Sequence, residues 1–166
     1  MGAALSDTFA IKPISDVEAV ISREFDAPRD LVFKAFTDPA LIAQWWGPRS
    51  TTTIVDKMDV RVGGSWRFVH KEADGSENGF RGEFREIVPP ERIVQTFEWE
   101  GMPGHIMTDH ITFEDLGGSR TRIVSRSVSS NKEDLEGMIE SGMEQGARET
   151  YDRLEELLDT LKRTAR

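Results

Sequence analysis

Ser130–Leu161 reads SNKEDLEGMIESGMEQGARETYDRLEELLDTL, and the period of this stretch decides the architecture. Leu135, Ile139, Met143, Thr150, Leu154, Leu157, Leu158 and Leu161 recur at helical spacing and share roughly one face. Ser130-Asn131 suits an N-cap, and Glu133 and Asp134 stand where the positive end of a helix favours acids. Lys162, Arg163 and Arg166 stand at the other end, where cations are favoured. The expectation is one helix of about thirty residues, long against the usual three to four turns. Gly142 and Gly146 fall on one face of it, and an interior glycine costs roughly 1 kcal/mol against alanine. Two such costs point to room being made, for close backbone packing or for a cavity. Met138 and Met143 lie beside them, and methionine adapts to irregular apolar space. The helix therefore divides into a solid half around Leu154–Leu161 and a half near Met138–Gly146 that leaves space.

Upstream the period is two. In VEAVISREF, residues 17–25, the side chains of Ala19, Ile21, Arg23 and Phe25 alternate onto one side of a strand. Pro28 opens a helix with a stripe of Leu31, Val32, Ala35 and Phe36, and Asp38-Pro39 starts a second short helix that Gly47-Pro48 ends. Six strands follow, punctuated by Gly63-Gly64, Asp74-Gly75, Pro89-Pro90, the looser stretch with Gly101, Pro103 and Gly104, and Gly117-Gly118. They form an antiparallel meander. A sheet with one apolar face needs a cover, and the terminal segment is the only element long enough. The fold class is α+β: a curved antiparallel seven-stranded sheet, in the order β-α-α-β6-α, wrapped around a long C-terminal helix. This arrangement is called a helix-grip. Residues 1–16 are expected to be a flexible tail, 17–162 a single domain, and 163–166 a C-terminal tail.

The bulk numbers exclude several classes. A length of 166 residues with 37% hydrophobic content, four Trp and nine Phe supports one folded domain with its own core. A net charge of −9 argues against nucleic acid, whose phosphates call for a basic surface. With no Cys, disulfides, thiol catalysis and thiolate metal sites are excluded together. No run of about 18 apolar residues exists to span a membrane. The start has neither the basic region nor the apolar core of a signal peptide, and a cytoplasmic location is expected.

Four segments taken in order resemble a known family: REFDAPRDLVFKAFTDPALIAQWWGP (23–48), MDVRVGGSWRFV (58–69), GEFREIVPPERIVQTFEW (82–99) and SRTRIV (119–124). Together they resemble the activator of heat-shock-protein ATPase homologue family, within the START-like (SRPBCC) superfamily, from about Val17 to Leu158. The resemblance implies a helix-grip with a cavity between the long helix and the concave sheet. The family's eukaryotic chaperone activators carry an additional N-terminal domain, whereas about sixteen residues precede the first strand here.

The candidate ligand-binding residues are Trp46, Trp66, Phe68, His70, Phe84, Trp99, His110, Met138, Gly142, Met143 and Gly146. Neighbouring helical residues point about 100° apart, so the doublet Trp45-Trp46 divides. Trp45 continues the stripe of Leu41 into the core, and Trp46 follows Ile42 toward the cavity mouth. Alternation puts Phe97 and Trp99 on one face and Thr96 and Glu98 on the other, without saying which faces the helix. His70, His105 and His110 have no i, i+4 pairing and no Cys to complete a zinc site, so no metal or cofactor is expected. Asp109 adjoins His110 but points to the opposite face, so the two make no dyad. Arg23, if inward, needs a carboxylate such as Asp56, Glu86 or Glu98.

The leading expectation is binding of a small apolar or amphipathic molecule (a lipid, polyketide or aromatic) without catalysis. One alternative is a cyclase- or hydrolase-type enzyme in the same cavity, with His70 or His110 moving a proton. The other is a chaperone partner acting through its surface. Monomer and homodimer stay open.

Overall fold

A computed structural model describes residues 8–164. Strand β1 (Ala10–Pro13) leads to β2 (Glu18–Phe25), then helices α1 (Arg29–Thr37) and α2 (Pro39–Trp45). The meander comprises β3 (Thr52–Met58), β4 (Ser65–Lys71), β5 (Glu77–Val88), β6 (Arg92–Trp99), β7 (Ile106–Gly117) and β8 (Arg120–Val128). Helices α3 (Lys132–Glu140) and α4 (Met143–Thr164) complete the chain. All strands join one antiparallel sheet in the order β1-β2-β8-β7-β6-β5-β4-β3. The α+β helix-grip architecture is as the sequence implies, with two differences.

The first is an eighth strand. Ala10–Pro13 pairs with β2 from Ala10 opposite Ser22 to Pro13 opposite Ala19, inside the stretch expected to be a tail. Just before it Phe9 is buried, its ring 6.4 Å from that of Tyr151 on α4 and beneath the Arg148 guanidinium. Of the two expected tails, residues 1–7 and 165–166 lie outside the described residues, while 163–164 belong to α4.

The second is a break where one long helix was expected. Gly142 takes φ +86°, the left-handed conformation that ends helices and that glycine adopts without steric cost. The Ser141 amide donates back to the carbonyls of Gly137 and Met138, and α4 starts one residue after the glycine. Gly142 is thus a helix stop, while Gly146 is a true interior glycine of α4. At the other end of α3 the Asn131 side chain caps the helix, accepting from Asp134 N at 2.8 Å.

The core forms where the periods converge. Leu154, Leu157 and Leu158 of α4 join Phe25, Val32, Ala35, Trp45, Phe113 and Ile123 in one buried cluster. Trp45 is held there by its indole N–H, which donates to the Ala35 carbonyl at 2.9 Å. Strand β2 alternates half-buried and buried along its whole length, with Ile21, Arg23 and Phe25 inward. The buried Arg23 does meet carboxylates, but not those proposed from β3, β5 and β6. Its partners are Asp152 at 2.9 Å and Glu155 at 3.0 Å, both on α4, because β2 lies under that helix and far along the sheet from β3. Among the described residues no helix is long and apolar enough to cross a membrane, and no group of three His, Cys, Asp or Glu is placed to hold a metal ion.

Candidate functional site

Between the concave face of the sheet and the N-terminal part of α4 lies a cavity of about 810 Å³. This is within the usual range for small-molecule sites. Its position follows from the break just described. The C-terminal turns of α4 fill the interior with leucines, whereas Met138, Met143 and Gly146 face open space. A Cβ built on Gly146 would meet nothing within 4 Å.

One wall is aromatic. Trp46 stands at its centre, with ring centroids at 4.9 Å from Phe68, 4.8 Å from His70, 5.5 Å from Phe80 and 6.1 Å from Trp66. Three contacts place Trp46. Its amide closes the last turn of α2 on the Ile42 carbonyl, and its own carbonyl accepts from the Thr53 hydroxyl on β3. Arg153 of α4 donates to the carbonyls of Gln44, Gly47 and Pro48, pinning the end of α2 to the long helix. Gly47 is required here: it takes φ +107°, and a Cβ would stand 2.5 Å from His70 Nε2. Phe97 and Trp99 line the cavity, which settles the face that alternation left open; Thr96 points away, accepting from Glu83 N. Trp99 lies at the rim, 39% exposed.

His70 is buried against Trp46 and Phe80, and its Nε2 has no hydrogen-bond partner among the described residues. Burial, and then the nearby Arg153 charge, hold its pKa down to about 4. It is therefore neutral at neutral pH, part of the apolar wall rather than a cation.

The opposite part of the floor is polar. Gln95 of β6, Asp109 of β7 and Ser127 of β8 are direct cross-strand neighbours, and all three line the cavity. The Ser127 hydroxyl donates to Asp109 Oδ1 at 2.7 Å. Tyr151 of α4 overlooks this row. Burial pushes the Asp109 carboxyl up to about 6, with the Ser127 hydrogen bond opposing. The Tyr151 phenol is pushed up by burial first and by the Asp109 charge next.

Of the residues expected to line a site, Trp46, Trp66, Phe68, His70, Phe84, Trp99, Met138, Met143 and Gly146 border this cavity. Gly142 does not, because it ends α3 instead of facing the interior. His110 does not either. It pairs with Val94 and Arg126 on the convex face, since inward Asp109 and Ile111 flank it in sequence. Trp45, assigned to the core, also borders the cavity from below. The polar row was missed. Its signal was present as phase: Asp109 alternates with inward Ile111 and Phe113, and Gln95 with Ile93 and Phe97.

Known proteins agree with this architecture. Residues 26–159 match the family model for "Activator of Hsp90 ATPase homolog 1-like protein". The chain belongs to this family. Among solved structures, a protein from Arthrobacter aurescens is 25% identical with TM-score 0.84, each chain being covered to 91%. A protein from Chromobacterium violaceum is 26% identical with TM-score 0.74, over 84% of this chain and 96% of that one. One from Rhodobacter sphaeroides, at 22% identity, shares the fold with TM-score 0.85 over 92% of this chain and 99% of that one. No curated protein matches. As a member of the Hsp90-ATPase-activator homologue family, the chain has a fold commonly used for ligand binding.

Proposed function

We propose that the protein binds a small amphipathic molecule in the cavity between α4 and the sheet, without chemistry upon it. The observation that carries this reading is the division of the last helical segment. The chain builds a solid core with Leu154, Leu157 and Leu158, then leaves about 810 Å³ beside Met138, Met143 and Gly146. A fold needing only stability would fill that space, since each unfilled volume forfeits dispersion contacts. The aromatic wall suits a flat or chain-like apolar body, and the Gln95–Asp109–Ser127 row suits one polar end.

The test pairs a screen with a filled cavity. Lipids, aromatic polyketides and phenolics are screened by thermal shift, and hits are mapped by NMR of the Met138 and Met143 methyl groups. Gly146→Leu occupies open space while improving helix propensity, so it keeps the fold by circular dichroism and loses the ligand. Undiminished binding to Gly146→Leu, or shifts clustered away from both methionines, would overturn the reading.

A further inference from the structure

The Asp, Glu, Lys and Arg side chains bordering the cavity share one sign, and the lining His105 is paired with Asp134. Asp109, Glu133 and Asp134 line the cavity, and among its described lining residues there is no Lys or Arg. Two arginines close by are held elsewhere: Arg23 by ion pairs with Asp152 and Glu155, its Nε having no hydrogen-bond partner among the described residues, and Arg153 by three backbone carbonyls. Glu133 and Asp134 sit at the start of α3, where Asp134 accepts from the Asn131 side chain and pairs with His105 at 2.7 Å. Asp109 differs. It lies inside, beside Tyr151, and the Ser127 hydroxyl takes up Oδ1, its one side-chain hydrogen bond among the described residues. Oδ2 keeps its acceptor capacity. A carboxylate offers several acceptor sites and, when ionised, no donor.

We propose that the molecule held in the cavity carries a hydrogen-bond-donating head, an amine or a hydroxyl, seated on Asp109, and that carboxylates and phosphates are turned away. This rests on the binding reading above. The donor satisfies the second oxygen of Asp109, where hydrogen bonds to charged groups are strong. Ser127 fixes the rotamer, and Gln95 and Tyr151 flank the head on either side. An anionic head would instead face a like charge at the half-buried Asp109, with no Lys or Arg among the described lining residues to compensate. The apolar body lies on the Trp46 wall, three strands along the sheet from β7 to β4. The ligand class is therefore an aromatic or aliphatic amine or alcohol, not a free fatty acid.

Four probes with one ring system and different heads test this: naphthalene, 2-naphthylmethylamine, 2-naphthylmethanol and 2-naphthoate. Each is titrated at pH 7.5 against the wild type and Asp109→Asn, with tryptophan fluorescence as the readout. The amine and the alcohol should bind at least about tenfold more tightly than the carboxylate. In Asp109→Asn, whose amide can donate to an anion, the gap should shrink by about tenfold while naphthalene binding is unchanged. Equal affinities across the heads, a preference for naphthoate, or a gap that survives in Asp109→Asn would each overturn the head-group assignment and leave the cavity reading intact. Failure of all four, naphthalene included, would overturn both.

Discussion

Two titratable groups, the buried His70 and the half-buried Asp109, border the same cavity and respond to acid in opposite senses, so substitution at each should expose an opposite slope. Asp109 has a folded pKa of about 6 against an ordinary 3.8, raised by burial. Between those values the native state holds a proton that the unfolded chain has released. Its contribution is fully favourable below about 4 and is lost as pH rises through 6. His70 runs the other way. Its folded pKa of about 4 lies below the ordinary 6.5, again through burial and then Arg153. Its contribution is full above about 6.5 and is lost as pH falls toward 4. Each pH unit of difference is worth about 1.4 kcal/mol, so each group carries at most about 3 kcal/mol, and the two largely offset in the wild type. Asp109 faces Ser127 and Tyr151, and His70 faces Arg153, Trp46 and Phe80. Urea unfolding of the wild type, Asp109→Asn and His70→Gln at pH 4, 5, 6 and 7 reads the effect as differences, in which the shared surface carboxylates cancel. Relative to the wild type, Asp109→Asn should gain about 2–3 kcal/mol on going from pH 4 to pH 7, and His70→Gln should lose a similar amount. A difference for Asp109→Asn that is flat over this range would refute the raised pKa of its carboxyl, and with it the argument that the polar floor is shielded from solvent.

Two further substitution pairs probe neighbouring features. Gly142→Ala should destabilise by about 1 kcal/mol, because the residue sits at φ +86°, whereas Gly146→Ala should stabilise by up to about 1 kcal/mol; chemical denaturation distinguishes the two directly. Trp45→Phe should cost about 1–2 kcal/mol by orphaning the buried Ala35 carbonyl. Trp46→Phe should cost less stability and weaken naphthalene binding more, so equal effects of the two on binding would contradict the division of the doublet.

Much of this was legible in the chain. The alternation of Ala19, Ile21, Arg23 and Phe25 and the helical recurrence of Leu154, Leu157 and Leu158 are local periodicities, and burial enforces both. The aromatic wall was legible for the same reason: Trp66, Phe68 and His70 keep strand phase, and Trp46 is a quarter-turn from Trp45. The break at Gly142 was not, because Met143 continues the apolar stripe of Leu135 and Ile139 across it. A glycine also serves helix interiors and helix stops alike. Strand β1 escaped because four residues with a proline carry little period. The Arg23 partners lie 129 and 132 positions away in sequence, which pairing within the sheet could not suggest. Asp109 was weighed against its neighbour His110 rather than against Ile111 and Phe113, two and four residues on, with which it shares a face.

The stop at Gly142 and the leucines beyond it separate two kinds of position. Leu154, Leu157 and Leu158, late in α4, belong to the buried core, while Met138, Met143 and Gly146 border the cavity and stand outside that core. Natural proteins stand only a few kcal/mol above unfolding, so most new specificities are filtered by their effect on stability. By that argument the filter is weakest at the positions facing the cavity. A lineage carrying this arrangement can explore new guests by single replacements on the early turns of α4 and the end of α3 while inheriting an unchanged anchor, and diversity within the family is expected to concentrate there.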